Sequence, residues 1–358
     1  MRQIMLSWVA AGFKGFGIWT WNARTAGWEG GEYGLTDKDG EITDRAIAAG
    51  SVGKACKRYK DELWAADKAP VVGVYVDWEN EALWAAMSIG GREHFRSQGI
   101  LARIGLCRAL INAGIPFEFV TPSQLREGLA ARYQMIYLTG CMLVPSDMLR
   151  IFMEYVGMGG RVVLDAPSGI YDEYARVLSS KKGSPFEMLF GARLANLQRS
   201  NERRPWKLDG HSMDGATLDL VPTTAHVEKR FDDGRPAVTM HRVGAGQALL
   251  CAWSGGLCCY REDTAEEQGK LVKYVLKNLK VNFRCEGAIV YRLVSAKADH
   301  YFLINDGESC CAVLKPATLG VSIDAITGEA IADLENVVIP AHDARWIRIA
   351  KSGTVERE

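Results

Sequence analysis

The chain has 358 residues, which is enough for two or three domains of ordinary size. Hydrophobic residues make up 48% of it and charged residues 24%, a composition that excludes a disordered chain. The 43 basic residues equal the 43 acidic ones in number, which disfavours nucleic acid or a membrane surface as a partner.

Nine scattered cysteines lack the spacing of a zinc site or a disulfide framework. Reduced thiols in a cytoplasmic protein fit this pattern best. No stretch reaches the roughly 18 apolar residues of a membrane span, and no cleavage site follows the opening residues. We therefore expect a cytoplasmic protein without a signal peptide or a membrane span.

The first segment predicts a helix, a strand, a loop and a second helix. Apolar residues at helical spacing indicate a helix over residues 2–13, and the aromatic run Gly15–Trp21 indicates a short buried strand. The glycine-rich stretch 23–40 predicts a loop, and residues 43–66 predict a long amphipathic helix. A strand this apolar is normally covered on both faces and paired with parallel neighbours, which this segment does not contain.

A new pattern of alternating strands and helices begins after Ala69-Pro70. Crossover helices between parallel strands predict a doubly wound α/β sheet. The more polar stretch from 185 to 253, with a turn at Asp232-Asp233-Gly234, is assigned to the same domain. The predicted strands are 71–76, 117–120, 135–138, 161–164 and 247–252, and the predicted helices are 101–113, 146–156 and 264–279.

Short alternating runs close the chain from residue 287 to residue 349. The runs 288–294 and 301–305 are separated by turns such as Asn305-Asp306-Gly307. This pattern is typical of antiparallel strands, so we expect a small antiparallel β domain.

The residues richest in potential chemistry surround and follow the predicted strand that ends at Trp21. Sugar sites use aromatic rings that stack on a pyranose, together with carboxylates and amides that bind its hydroxyls. A structural alternative remains open, in which the tryptophans are core residues and the carboxylates brace the loop. The candidate binding residues are Trp21, Asn22, Arg24, Trp28, Glu29 and Glu32.

The run 21–40 resembles the segment after the last barrel strand of family 42 glycoside hydrolases. Trp21, the Glu29 eight residues later, Gly34-Leu35 and the run 37–40 (Asp-Lys-Asp-Gly) carry this resemblance. It implies that Trp21 and Glu29 line a sugar subsite, with Trp28, Glu32, Asn22 and Arg24 as weaker candidates. Asn22 stands where the family often has Arg, and Glu32 where it often has His, so a preference for galactose does not simply carry over.

The runs 74–80, 114–116, 159–164 and 168–173 resemble the trimerisation domain of the same family. The resemblance implies an α/β architecture with a partial (β/α) barrel remnant, a flavodoxin/glutamine-amidotransferase-like doubly wound domain and a small antiparallel β-sandwich. These domains are expected at 1–68, as the last β/α unit of a (β/α)8 barrel, at 69–283 and at 284–358. It also implies a homotrimer.

Retaining glycosidases need two carboxyl groups about 5 Å apart. In the family they belong to barrel strands earlier than any that this chain resembles, so we expect no catalytic residue, cofactor or metal here. Glu29 and Glu32 share one short loop and cannot flank a glycosidic bond. The expected function is a C-terminal part or subunit of a β-galactosidase-like retaining hydrolase of β-galactosides or related glycosides, with a partner chain that could carry the rest of the barrel.

Two alternative functions from classes other than glycoside hydrolysis remain. One is a non-catalytic oligomerisation or carbohydrate-binding protein derived from such an enzyme. The other is amidotransferase chemistry at Cys141, which lies where such domains place a nucleophile, with His211, His226 or His241 as its base. No Glu follows those histidines at the spacing of that triad, and Cys is a common buried residue, so a structural Cys141 is favoured. For His94, His300 and His342, a solvated or locally hydrogen-bonded side chain is expected.

Overall fold

The computed structural model describes residues 1–27, 34–90, 97–199, 206–213 and 215–351. The helices of this part are α1 (Arg2–Ala10), α2 (Asp44–Arg58), α3 (Lys60–Ala65), α4 (Trp78–Met87), α5 (Gln98–Asn112), α6 (Pro122–Arg126), α7 (Ser146–Gly157), α8 (Pro185–Phe190), α9 (Gly255–Cys258) and α10 (Ala265–Tyr274). Its strands are β1 (Val72–Tyr75), β2 (Phe117–Val120), β3 (Met135–Leu138), β4 (Arg161–Asp165), β5 (Ala192–Arg199), β6 (Trp206–Leu208), β7 (His211–Met213), β8 (Ala216–Pro222), β9 (His226–Arg230), β10 (Pro236–Val243), β11 (Gly246–Cys251), β12 (Arg284–Glu286), β13 (Ile289–Val294), β14 (Ala298–Ile304), β15 (Cys310–Lys315), β16 (Ser322–Asp324), β17 (Val337–Ile339) and β18 (Ala344–Ala350). The chain divides into two compact units, Met1–Ala69 with Val281–Glu358, and Pro70–Lys280. None of the described helices is long and apolar enough to cross a membrane.

The second unit is a mixed α/β structure around a seven-stranded sheet. The strand order is β2-β1-β3-β4-β11-β10-β9. The first five strands are parallel, and β10 and β9 pair antiparallel at one edge. The strands predicted at 117–120 and 135–138 are confirmed with the same bounds.

Strands β1 and β3 of this sheet are buried along their whole length, which explains their uninterrupted apolar sequences. All four residues of β1 and of β3 are buried. Helix α7 buries Met148, Phe152 and Val156, which follow one another at helical spacing. Truncating a buried residue such as Phe152 to Ala would cost about 3–5 kcal/mol.

The polar stretch after residue 185 also belongs to this unit. It forms the short helix α8, the antiparallel strands β10 and β9 of the large sheet, and the two antiparallel pairs β5–β8 and β6–β7. The helix predicted at 264–279 is shorter in the structure, where α10 ends at Tyr274. Asn278 then adopts a positive φ of 64°, which no helix continues through.

The first unit is built around the four-stranded antiparallel sheet β13-β14-β18-β16. Alternate residues of β14 face opposite sides, because side chains in a strand alternate. Tyr301 and Leu303 pack in one core with residues of the second sheet, β12-β15-β17. Phe302 packs in another core with Trp346 and with α1 and α2. The antiparallel β structure expected for the end of the chain is therefore present.

The domain division of this unit differs from the predicted one. The sequence suggests separate domains at 1–68 and 284–358, whereas Leu6 and Val52 of the first segment share a core with Phe302 and Trp346 of the last. The physical reason is that one face of the sheet is apolar and α1 and α2 cover it.

The strand predicted at Gly15–Trp21 is absent from the structure, and that prediction is wrong. These residues form no ladder with any described strand, and Trp19 and Trp21 are 69% and 60% exposed. Helix α1 ends at Ala10, before Gly12 adopts a φ of 93°. The helix predicted at 43–66 is divided at Tyr59 into α2 and α3.

Candidate functional site

The candidate binding residues that the structure describes lie on one irregular segment. Trp21, Asn22 and Arg24 are all exposed to solvent. Trp28, Glu29 and Glu32 lie outside the described residues. The structure thus places one aromatic ring, one amide and one guanidinium on the same exposed segment of the first unit.

This segment is anchored through its backbone although it is not a strand. The amide of Leu35 donates to the carbonyl oxygen of Thr20, and the amide of Thr36 donates to that of Trp21, both at 2.9 Å. Leu35 and Thr36 are themselves buried. The indole of Trp21 therefore projects into solvent from a backbone that is already fixed, which lowers the entropy cost of binding a ligand.

Gly34 is required where the loop returns to this segment. A Cβ at Gly34 would lie 2.6 Å from the backbone nitrogen of Ala23 and 2.5 Å from the carbonyl oxygen of Thr36. Arg45 holds the same position, because its Nη2 donates to the carbonyl oxygen of Gly34 at 2.8 Å. The Gly-Leu pair of the sequence motif thus has a structural role as the contact between two backbone segments.

The motif at 37–40 forms a turn that leads into α2. One carboxylate oxygen of Asp37 accepts hydrogen bonds from the amides of Asp39 and Glu41, both at 2.9 Å. Gly40 has a φ of 86°, which favours glycine. Thr43 then caps α2 and donates its hydroxyl hydrogen to the carbonyl oxygen of Leu35 at 2.7 Å.

Trp19 is a further exposed aromatic residue that the sequence reasoning left out of the site. The guanidinium carbon of Arg24 lies 5.1 Å from its ring centroid, a cation–π contact. Arg24, predicted to bind sugar, therefore covers part of Trp19. The repeat of Trp19 and Trp21 two residues apart was the sequence signal, but it was interpreted as a buried strand.

The geometry around Cys141 does not support amidotransferase chemistry. Cys141 is buried, its thiol donates to the carbonyl oxygen of Thr139 at 3.4 Å, and burial raises its pKa well above the ordinary value. A reactive cysteine needs the opposite shift. Nε2 of His211 lies 2.6 Å from a carboxylate oxygen of Glu267. His226 is exposed, and His241 contacts a backbone carbonyl and a threonine hydroxyl of the same unit.

Asp165 is a buried carboxylate that the sequence analysis did not single out. It accepts hydrogen bonds from the hydroxyl of Thr139 at 2.7 Å and from the amide of Gly256 at 2.8 Å. Burial raises the pKa of Asp165 to about 7, although these donors oppose the change. The only sequence feature that could have indicated this residue is its position, as a carboxylate at the end of an apolar strand. Its contacts join the end of β4 to α9, which is a structural role.

Among the described residues, no group of three or more His, Cys, Asp or Glu side chains is arranged to hold a metal ion.

Comparison with known proteins identifies the class to which this α/β chain belongs. Residues 72–282 match the family model described as the beta-galactosidase trimerisation domain of family 42 glycoside hydrolases. The match spans more than half of the chain, so the chain belongs to this family. The resemblance that the sequence indicated is confirmed.

Individual relatives agree with this assignment. Beta-galactosidase BglY of Alicyclobacillus acidocaldarius subsp. acidocaldarius is 23% identical over 269 residues, which are 70% of this chain and 38% of the relative. A catalytic mutant of Gan42B, a GH42 beta-galactosidase from G. stearothermophilus, has a TM-score of 0.77 at 20% identity and is matched over 98% of this chain and 50% of its own. The beta-galactosidase from Bacillus circulans sp. alkalophilus has a TM-score of 0.73 at 19% identity, over 93% and 49%. The chain therefore spans half or less of these relatives, as a C-terminal part would.

Proposed function

We propose that this chain is the C-terminal part or a subunit of a β-galactosidase-like retaining glycoside hydrolase. It would contribute a sugar-subsite loop and the oligomerisation domain, whereas the catalytic Glu pair would lie on barrel strands outside it. The observation that carries the proposal is the exposed Trp21, held on an anchored backbone in a chain that spans half the length of its structural neighbours.

The surface of the first unit supports a covering partner. Helix α1 buries Met5, Leu6 and Val9 but leaves Ile4 and Trp8 exposed. Helices that are apolar on both sides are typical of positions enclosed by neighbouring elements. The remainder of a barrel, in the same polypeptide or in a partner chain, would cover these side chains. The large apolar residues exposed among the described residues from 1 to 47 are Met1, Ile4, Trp8, Phe13, Trp19, Trp21, Ile42 and Ile47.

In this proposal Trp21 stacks on the apolar face of a sugar ring and Glu29 accepts hydrogen bonds from its hydroxyls. Asn22, Arg24, Trp28 and Glu32 surround the same subsite with weaker roles. The substrate would be a β-galactoside or a related glycoside, and no cofactor is needed, because hydrolysis with retention uses two carboxyl groups and water.

The second unit would hold three copies together and perform no chemistry of its own. Its family match is to a trimerisation domain. The buried side chains of Cys141 and Asp165 support a structural role for this unit, because both are engaged in hydrogen bonds within it. A homotrimer is therefore part of the proposal.

The test is made on the complete assembly purified from the native source, by measuring kcat/KM for p-nitrophenyl β-D-galactoside. Trp21→Ala should lower kcat/KM about tenfold, because one aromatic stacking contact is worth about 1.5 kcal/mol. Trp64→Ala is the matched control, since Trp64 is an exposed tryptophan of α3 that the proposal places outside the subsite. Equal activity of the two variants would contradict the role of Trp21. An assembly without any glycosidase activity would instead favour a non-catalytic carbohydrate-binding or oligomerisation protein.

A further inference from the structure

A cavity of about 540 Å³ lies in the second unit, at the N-terminal ends of β3, β4 and β11. Gln134, Arg161 and Gln247 line it at the starts of these strands, and Lys280 lines it from the segment after α10. The volume falls within the range of small-molecule sites. This is the sheet edge opposite the one that carries Asp165 and Cys141.

The charges around the cavity are of one sign. Arg161 and Lys280 line it, and none of its lining residues is an aspartate or a glutamate. Within the described part of the chain, neither cation has a carboxylate oxygen within 4.0 Å. Arg161 is half-buried and donates from Nη1 to the carbonyl oxygen of Lys277 at 2.6 Å, which uses one of its five N–H donors. A half-buried cation without a counter-charge is costly, and a bound anion would relieve that cost.

The cavity is held open by fixed contacts. The side-chain amide of Gln134 donates to the carbonyl oxygen of Lys280 and accepts from its amide, both at 2.9 Å. The hydroxyl of Tyr155 donates to the carbonyl oxygen of Tyr133 at 3.0 Å. A Cβ at Gly160 would lie 2.2 Å from the ring of Tyr155. The backbone therefore packs against that ring at a distance that requires glycine. Such walls need little reorganisation when a ligand enters.

We propose that this cavity binds the anionic group of a small molecule, a carboxylate or a phosphate, between Arg161 and Lys280. The planar guanidinium suits two parallel hydrogen bonds to such a group, and Lys280 adds a point charge. Asn278 and Gln247 supply amide donors, and Met158 and Leu279 supply apolar surface for the remainder of the molecule. The proposal is independent of the glycosidase function, because all of these residues belong to the second unit.

Isothermal titration calorimetry at constant ionic strength tests the proposal, with inorganic phosphate and malonate as the two anionic probes and malonamide as the neutral control. The wild-type protein should bind at least one of the two anions saturably. The anion with the lower dissociation constant identifies phosphate or carboxylate as the preferred group. Lys280→Met and Arg161→Met should each weaken that binding at least tenfold. Arg150→Met, which removes an exposed cation of α7 outside the cavity, should leave it unchanged.

The alternative is that Arg161 only caps the carbonyl of Lys277. In that case Arg161→Met would lower the melting temperature, and Lys280→Met would bind phosphate and malonate as the wild type does. Equal affinity in the wild type and Lys280→Met, or no saturable binding of either anion, would overturn the proposal. Lys280 is exposed, so its variant should fold and decide the question even if Arg161→Met does not.

Discussion

Glu62 joins α3 to two strands of the first unit, and its removal offers a sharp test of how that unit is held together. Its two carboxylate oxygens accept hydrogen bonds from Nη2 and Nε of Arg348, both at 2.9 Å. Nε2 of His300 lies 3.0 Å from Oε2. The indole of Trp346 donates to Nδ1 of His300 at 3.1 Å. Because an indole nitrogen can only donate, the proton of neutral His300 sits on Nε2, toward Glu62.

The strength of these contacts follows from the acidity of Glu62. Burial alone would raise its pKa, but the hydrogen bonds from His300 and Arg348 and the charge of Arg348 lower the pKa from 4.5 to about 2. This lowering of the pKa corresponds to about 3 kcal/mol. The folded-state pKa lies below the unfolded one, so this stabilisation is present above pH 4.5 and is lost as the pH falls toward 2.

The variant Glu62→Gln should therefore destabilise the first unit by about 3 kcal/mol at pH 7. Hydrogen exchange of the β14 and β18 amides, followed by mass spectrometry, should be faster than in the wild type by roughly a hundredfold. At pH 3 the difference in free energy should fall to less than half. Asp61→Asn is the matched control, since it removes an exposed carboxylate from the same helix. Unchanged exchange at pH 7, or a difference that persists at pH 3, would show that Glu62 does not stabilise the first unit through its charged form.

Three further outcomes are expected. In calorimetry, Gly256→Ala should lower the melting temperature, because its Cβ would lie 2.3 Å from a backbone carbonyl oxygen of α5. Gly53→Ala in α2 should raise the melting temperature, because its Cβ meets nothing within 4 Å and alanine favours the helix. Equal effects of the two variants would contradict this prediction. Because the pKa of Asp165 is raised to about 7, urea unfolding should show stability falling between pH 4 and pH 7 in the wild type but not in Asp165→Asn, and parallel profiles would argue against it. Iodoacetamide at pH 8 should alkylate the exposed Cys311 and spare the buried Cys141, whose pKa is raised, so early labelling of Cys141 in a mass map would disprove its inertness.

The central sheet of the second unit was predictable because its information is local. Parallel strands buried on both faces have short continuous apolar sequences, and β1 and β3 follow that rule. The turn at Asp232-Asp233-Gly234 was predictable for the same reason, because turn residues act through their own backbone preferences.

The first unit was harder to predict because its contacts join distant parts of the sequence. Leu6 and Trp346 share one core although more than 300 residues separate them. His300 was expected to be solvated or locally hydrogen-bonded, but it is fully buried beside Glu62 and Trp346. A single sequence contains no local signal for such a cluster.

The loop that carries the candidate site was predictable in part. The sequence gives the loop motif, and the structure shows why Gly34 and Asp37 are needed to build it. The aromatic run that ends at Trp21 was mistaken for a strand, because apolar content alone does not reveal whether a neighbouring strand exists to pair with it.

The proposed function is tested by hydrolysis of p-nitrophenyl β-D-galactoside by the purified chain alone, with its mass measured in the same solution by light scattering. We expect no hydrolysis and a mass three times that of the chain, because we propose that the second unit forms a trimer and that the catalytic carboxylates lie outside this chain. Hydrolysis by the purified chain would contradict the account, since both carboxylates would then have to belong to these 358 residues.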